Sequence, residues 1–221
     1  MEITGCPTNL INRSKSFGEL ISLKLESRPK FFLTHCDEPW LSDQNKKASN
    51  KKLCQWTCKN NGILIQQAVP EVIRLLRGDD FKNLQNMSPK EKRKHFGEQL
   101  KKTWLPDITD DDFQKFLKLK CRTYFSANQW MEDSMKFDFS LGLRLHGNMA
   151  AWQVGVPSLW ITHDVITAGL VNTMKLPSIS CQEFIKECAT LDSAWNLLRK
   201  NYDEKIYTKR RIFLEKNFIK V

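Results

Sequence analysis

A chain of 221 residues, 41% hydrophobic with 13 Phe and 7 Trp, is long enough to bury one core without staples and suits a single domain. Its formal net charge of +10 invites an anionic partner, yet acids interleave with the bases, and no Cys/His finger, RNP-like strand or KH-like GXXG loop points to nucleic acid. No apolar run approaches the ~18 residues of a membrane span.

Met1-Glu2-Ile3 is followed by no basic n-region and apolar h-region, so no secretory leader is expected. The seven cysteines are odd in number and scattered. Only Cys54 and Cys58 stand one helical turn apart, and no second pair or nearby His completes a zinc set. Reduced thiols in a cytoplasmic chain, with no metal, are the expectation.

In chain order, Glu2–Leu10 reads as a loop broken by Gly5 and Pro7, and Ser16–Leu25 as a short helix. Lys30–His35 is a strand ending in His35-Cys36-Asp37. Ser42-Asp43 caps a helix running to about Asn60. Gly62–Ile65 is a second strand closed by Gln66-Gln67, and Pro70–Leu76 is helical. The composition then shifts. Residues 78–120 carry two amphipathic helices, Pro89–Leu100 and Thr109–Leu119, read as a helical pair inserted on an α/β body. Cys121–Phe125 returns as a strand and Asn128–Lys136 as a helix. After the segment 139–164 come helices at Val165–Met174, Cys181–Cys188 and Asp192–Phe213, with a break at Leu176-Pro177. Eight Lys/Arg against three Asp/Glu in Arg199–Lys220 read as a solvated helix face. Strand and helix patterns alternate throughout, which predicts a parallel sheet covered by helices on both faces.

The stretch Phe139–Asp164 organises the rest. Phe139, Leu141, Leu143 and Leu145 alternate with Ser140, Gly142, Arg144 and His146, which predicts a strand over all eight residues. Gly147-Asn148 breaks the alternation, Met149–Val154 reads as a buried helix, Gly155-Val156-Pro157 stops it, and Ser158–Ile161 is a second strand ending at Thr162-His163-Asp164. On that reading Arg144 and His146 leave one face of one strand. They stand beside free amides at Gly147, Asn148 and Met149, a place for phosphate or carboxylate. Arg144 suits a two-pronged grip on an anion and His146 a proton transfer near neutral pH. The plain alternative makes Arg144 a surface charge and His146 a core histidine. Asp164 reads equally as a helix N-cap, and Trp152, inside an apolar helix, as core.

Gly142-x-Arg144-x-His146-Gly147, then Gly155-Val156-Pro157, then a strand closing in His163-Asp164 resembles the C-terminal signature of the polysaccharide pyruvyl transferase family. Gly5-Cys6-Pro7-Thr8 looks like that family's G-C-P-S segment, Gln129-Trp130 before Asp138 resembles its link into the R-x-H-G strand, and 191–218 is similar to its closing helix. The resemblance implies a Rossmann-like fold, the C-terminal lobe of a GT-B type transferase. It implies transfer of a pyruvyl group from phosphoenolpyruvate to two sugar hydroxyls as a ketal, with release of phosphate, in polysaccharide biosynthesis. No cofactor is implied. The partners are phosphoenolpyruvate and a glycan or lipid-linked sugar, through which the protein would meet a membrane.

Carried onto this chain, Arg144 and His146 would be catalytic, and Gly147, Asn148, His163, Asp164 and Trp130 would bind substrate. Two departures stand out. Ile166 and Gly169 occupy positions where the family has an Arg and a Glu. The resemblance also covers only the second lobe, so a separate N-terminal lobe is an expected partner. The competing expectations are a non-catalytic anion-binding module and half of a nucleotide-sugar glycosyltransferase.

Overall fold

The computed structural model describes residues 6–37, 42–67, 70–77 and 88–219. Gly5 and residues 78–87 of the expected insertion lie outside them. Six strands form one parallel sheet: β1 (Phe32–His35), β2 (Gly62–Ile65), β3 (Cys121–Arg122), β4 (Phe139–Gly142), β5 (Ser158–Thr162) and β6 (Ser178–Ser180). Their order across the sheet is β3-β2-β1-β4-β5-β6, every neighbouring pair parallel. The expected Rossmann-like architecture is therefore present.

Helices fill the connections, and their boundaries follow local chemistry. After a single turn at Pro7–Leu10 come α1 (Phe17–Leu25), α2 (Gln44–Lys59), α3 (Pro70–Arg77), α4 (Pro89–Trp104), α5 (Asp110–Lys120) and α6 (Ala127–Ser134). The second half contributes α7 (Leu145–Gln153), α8 (Val165–Met174), α9 (Cys181–Glu187), α10 (Leu191–Asn201) and α11 (Glu204–Ile219). Asp43, Thr109, Ser126 and Asp164 each accept the amide three residues on, the cap that a short polar side chain makes before a helix.

Alternate strand residues go to opposite layers. Phe32, Leu64, Phe139, Leu141 and Leu159 pack in a core that also takes Leu53 of α2, Phe113 and Phe116 of α5, Phe184 of α9 and Trp195 of α10. Leu33 and Ile65 point the other way, to Trp130 of α6 and Ala151 of α7. Ser140 and Gly142 share that second face; Ser140 meets Asn148 of α7 there, and Gly142 is crowded by the β1 backbone. A Cβ on Gly142 would stand 2.3 Å from the carbonyl oxygen of His35. The α4–α5 pair belongs to the core, contributing Leu100, Trp104, Phe113, Phe116 and Leu117 on the path from β2 to β3.

Three expectations are corrected. The strand read over Phe139–His146 stops at Gly142, because its ladder with β1 ends where the Leu143 amide donates to the carbonyl of His35. Helix α7 accordingly begins at Leu145, four residues before the expected Met149. The closing helix of 191–218 is two helices. The Asp203 side chain accepts the Ile206 amide at 2.9 Å and starts α11 afresh, while the Tyr202 hydroxyl donates to the carbonyl of Gly18. Strand β6 was not expected; its three residues hold one apolar side chain, too few to show a period.

Candidate functional site at the switch point

Connections leave β1 toward β2 and β3 on one side of the sheet, and β4 leads to β5 and β6 on the other. In an open α/β sheet, that reversal opens a crevice beyond the carboxyl ends of the two central strands. A hollow of about 330 Å³ lies there, lined by Asp37 beyond β1, Gln67 beyond β2, Leu143 to His146 beyond β4, His163 beyond β5, and Thr167 of α8. Arg144, His146 and His163 thus line one hollow, but Arg144 and His146 reach it from the N-cap and first turn of α7, where one face of a single strand was expected.

Asp37 is the hub. Its amide donates to the buried Asn50 of α2 at 3.0 Å and its carbonyl accepts from the Asn50 amide nitrogen at 3.3 Å, which fixes the backbone. Its carboxylate then meets Arg144 Nε at 3.2 Å, His163 Nε2 at 3.7 Å and Lys46 Nζ at 3.9 Å. Arg144 Nε and Nη2 are both buried without a hydrogen-bond partner, so Asp37 meets the guanidinium as an ion pair only. The carboxylate sets the charge beside the guanidinium while its donors remain for a ligand. His163 also reaches Asp164 Oδ2 at 3.0 Å. Burial and the nearby Lys46 lower its pKa against the pull of the two carboxylates, so its ring stays neutral at physiological pH.

Arg144 occupies the N-cap position of α7, and no side chain caps that helix. The Asn148 amide bonds back to the Arg144 carbonyl at 3.2 Å. The amides a helix leaves open are therefore those of Leu145, His146 and Gly147, two residues earlier than expected. His146 stands exposed in that turn with Nε2 3.5 Å from Cys6 Sγ, and Cys6 Sγ is 2.9 Å from Thr8 Oγ1. The contact with Cys6 raises the His146 pKa, and the contact with His146 holds the Cys6 thiol down to about 7.

Four expected ligand residues have other work. Asn148 is fully buried: its amide nitrogen donates to the carbonyls of Gly142 and Leu159, and its oxygen accepts from Ser140 Oγ at 2.8 Å. It ties α7 to β4 and β5 and has no polar atom left for substrate. Gly147 admits the ring of His35, which a Cβ would meet at 2.7 Å. Trp130 is buried, stacked on Tyr124 at 5.9 Å with the rings 6° from parallel, so no sugar reaches its face. Asp164 caps α8, taking the Thr167 amide at 2.6 Å, and that bond keeps its carboxyl below the ordinary range. Trp152 lies in the core, as expected, with its indole N–H donating to Tyr207 at 2.9 Å.

Sequence reasoning assigned no role to Asp37, Gln67, Lys46 or Thr167. The available signal was position: Asp37 and Gln67 both stand two residues past a strand's carboxyl end. A second hollow of about 350 Å³, lined by Lys46, Asp43, Val165 and Cys181, shares His163 with the first. A larger one, about 630 Å³, lies at the opposite, amino-terminal edge beside the Arg28–Asp192 pair, and its lining holds no His or Cys. Among the described residues, no group of three His, Cys, Asp or Glu is placed to hold a metal ion, and no helix is long and apolar enough to cross a membrane. Comparison with family models, curated proteins and solved structures finds no match.

Proposed function

We propose that this chain is a pyruvyl-transferase-like lobe that takes phosphoenolpyruvate at the switch-point hollow and delivers its pyruvyl group to a pair of sugar hydroxyls. The observation that carries the reading is the convergence of Arg144, His146 and His163 on one hollow beside the uncapped first turn of α7. In the reaction, two C–O bonds form at the enol carbon and its bond to the phosphate oxygen breaks; of the two hydroxyl protons, one goes to the methylene carbon and the other leaves with the phosphate. Arg144 Nη2 and the open amides of α7 offer charge to the carboxylate and the departing phosphate. His146, exposed and with a raised pKa, is the proton carrier. The second hollow, across His163, offers room for the acceptor sugar. Such an acceptor, lipid-linked, would be met at the cytoplasmic face of a membrane.

Titration calorimetry with phosphoenolpyruvate, CMP and UDP tests this. Phosphoenolpyruvate binds, Arg144→Gln weakens it at least about tenfold, and neither nucleotide competes. His146→Ala abolishes ketal formation while leaving the thermal midpoint nearly unchanged. Nucleotide binding without phosphoenolpyruvate binding would transfer the chain to the glycosyltransferases. One observation favours a second reading, a binding module alone: Asp37 already neutralises an edge of Arg144. Phosphoenolpyruvate binding with no ketal formed, even when a first lobe is supplied, would select it.

A further inference from the structure

Cys6 and His146 are 140 positions apart, yet the fold holds them together by more than their own contact. The segment after Cys6 is tied to α7 at its far end, where the Asn12 amide donates to Gln153 Oε1 at 2.7 Å and the Asn12 side chain donates to the Gln153 carbonyl at 2.9 Å. Between these points Asn9 is buried and accepts from the Tyr207 hydroxyl. The turn at Pro7–Leu10 therefore lies along α7 and sets the thiol over its first turn.

Among the seven cysteines this placement is unlike the rest. Cys36, Cys54, Cys121, Cys181 and Cys188 are buried, and burial pushes the thiols of Cys54, Cys121, Cys181 and Cys188 up. Cys6 is half-buried, faces an exposed imidazole and has a hydroxyl at 2.9 Å. A thiol beside a proton-accepting imidazole is the arrangement that activates a sulfur nucleophile. The same imidazole lines the switch-point hollow, in which Arg144 Nη2 is buried without a partner.

We propose that Cys6 and His146 form a nucleophile–base pair, a covalent-addition site for the electrophilic carbon of a small carboxylate-bearing molecule such as a 2-oxo acid. The Sγ proton passes to His146 Nε2 and the sulfur lone pair forms an S–C bond to the carbonyl carbon. The carbonyl π pair moves to oxygen, which recovers the proton from Nε2. The product is a thiohemiketal, formed without oxidant or leaving group. This site stands independently of pyruvyl transfer, because its test involves neither phosphoenolpyruvate nor sugar.

The probe is alkylation of the intact chain by iodoacetate and iodoacetamide, followed by peptide mapping of each cysteine, where the S–C bond forms as iodide leaves. Cys6 is expected to react at pH 7 about tenfold faster than Cys58, the other half-buried thiol. Its rate should follow a midpoint near 7. In His146→Gln, with an unchanged thermal midpoint, the rate at pH 7 falls several-fold and the profile moves toward the ordinary thiol value of about 8.5. Thr8→Val, which leaves the imidazole in place, moves the profile less. The ratio of iodoacetate to iodoacetamide rates should exceed that of free cysteine. Equal reactivity of Cys6 and Cys58, or an identical profile in His146→Gln, overturns the pair. A ratio no higher than that of free cysteine overturns the choice of a carboxylate-bearing ligand.

Discussion

His35 shows how one side chain can set a pH limit on the whole chain. It is fully buried under Gly147, with Nε2 3.0 Å from Ser140 Oγ and Nδ1 without a hydrogen-bond partner. Burial pushes its pKa down to about 3, so the folded ring stays neutral where an unfolded histidine, with a pKa of about 6.5, takes a proton. The unfolded state thus binds more protons between those values. Stability present above pH ~6.5 is lost as the pH falls toward about 3, by up to ~1.4 kcal/mol per pH unit. Urea unfolding at pH 7, 6, 5 and 4 should show this slope, and His35→Gln should remove most of it between pH 6 and 5. Parallel pH curves for the two proteins would remove His35 as the cause. His35-Cys36-Asp37 was legible as the polar end of a strand. Which of the three faced the hollow and which was sealed depended on α7 and on Asn50, neither of them local.

At the scale of elements, α7 and α8 follow β4 and β5 with opposite starts. The α8 terminus is closed by Asp164, whose carboxylate takes the Thr167 amide. The α7 terminus has no side-chain cap and faces the hollow. Asp164→Ala should cost about 1 kcal/mol, the usual loss for a helix cap. The loss would register as a lower urea midpoint with an unchanged slope. Because the Asp164 pKa is lowered in the fold, this contribution is present above about pH 4 and disappears as the pH falls below it. A midpoint equal to that of the parent at pH 7, in an otherwise intact protein, would show that the cap contributes nothing. Caps of this kind made α2 and α8 legible, since Asp43 and Asp164 are signals in themselves, whereas α5 was legible from its amphipathic period. The join between α10 and α11 was not, because basic and apolar residues continue through Tyr202-Asp203 without a proline or glycine.

Across the whole molecule, Trp152 connects layers that the sequence keeps far apart. Its ring meets Phe17 of α1, Trp160 of β5, Tyr202, and Tyr207 of α11 edge-on, at centroid distances of 5.9, 5.5, 5.7 and 5.3 Å. The chain from the first helix to the last therefore closes around α7, the helix that presents the site. Trp152→Ala should lose about 3–5 kcal/mol, the range for removing a large aromatic from a core. Differential scanning calorimetry would then show a single transition at lower temperature. Two separated transitions, or a midpoint within a degree of the parent, would contradict a shared core. The parallel order β3-β2-β1-β4-β5-β6 gives the same closure at the level of the sheet, because the crevice at β1 and β4 exists only once both halves are in place.

Alternating strand and helix periods, the caps, and the run of Gly142, Arg144, His146 and His163 determined the class of fold and the edge of the sheet where the candidate site lies. Those signals are local, each written within a turn of helix or a few residues of strand. The tertiary structure decided where β4 stops, since a parallel strand lasts only while its neighbour supplies partners. It also decided that Asn148 and Gly147 serve packing, that Asp37 pairs with Arg144, and that Cys6 reaches His146. Each of these depends on residues brought together from distant parts of the chain, and no period in the sequence encodes a distance of that kind.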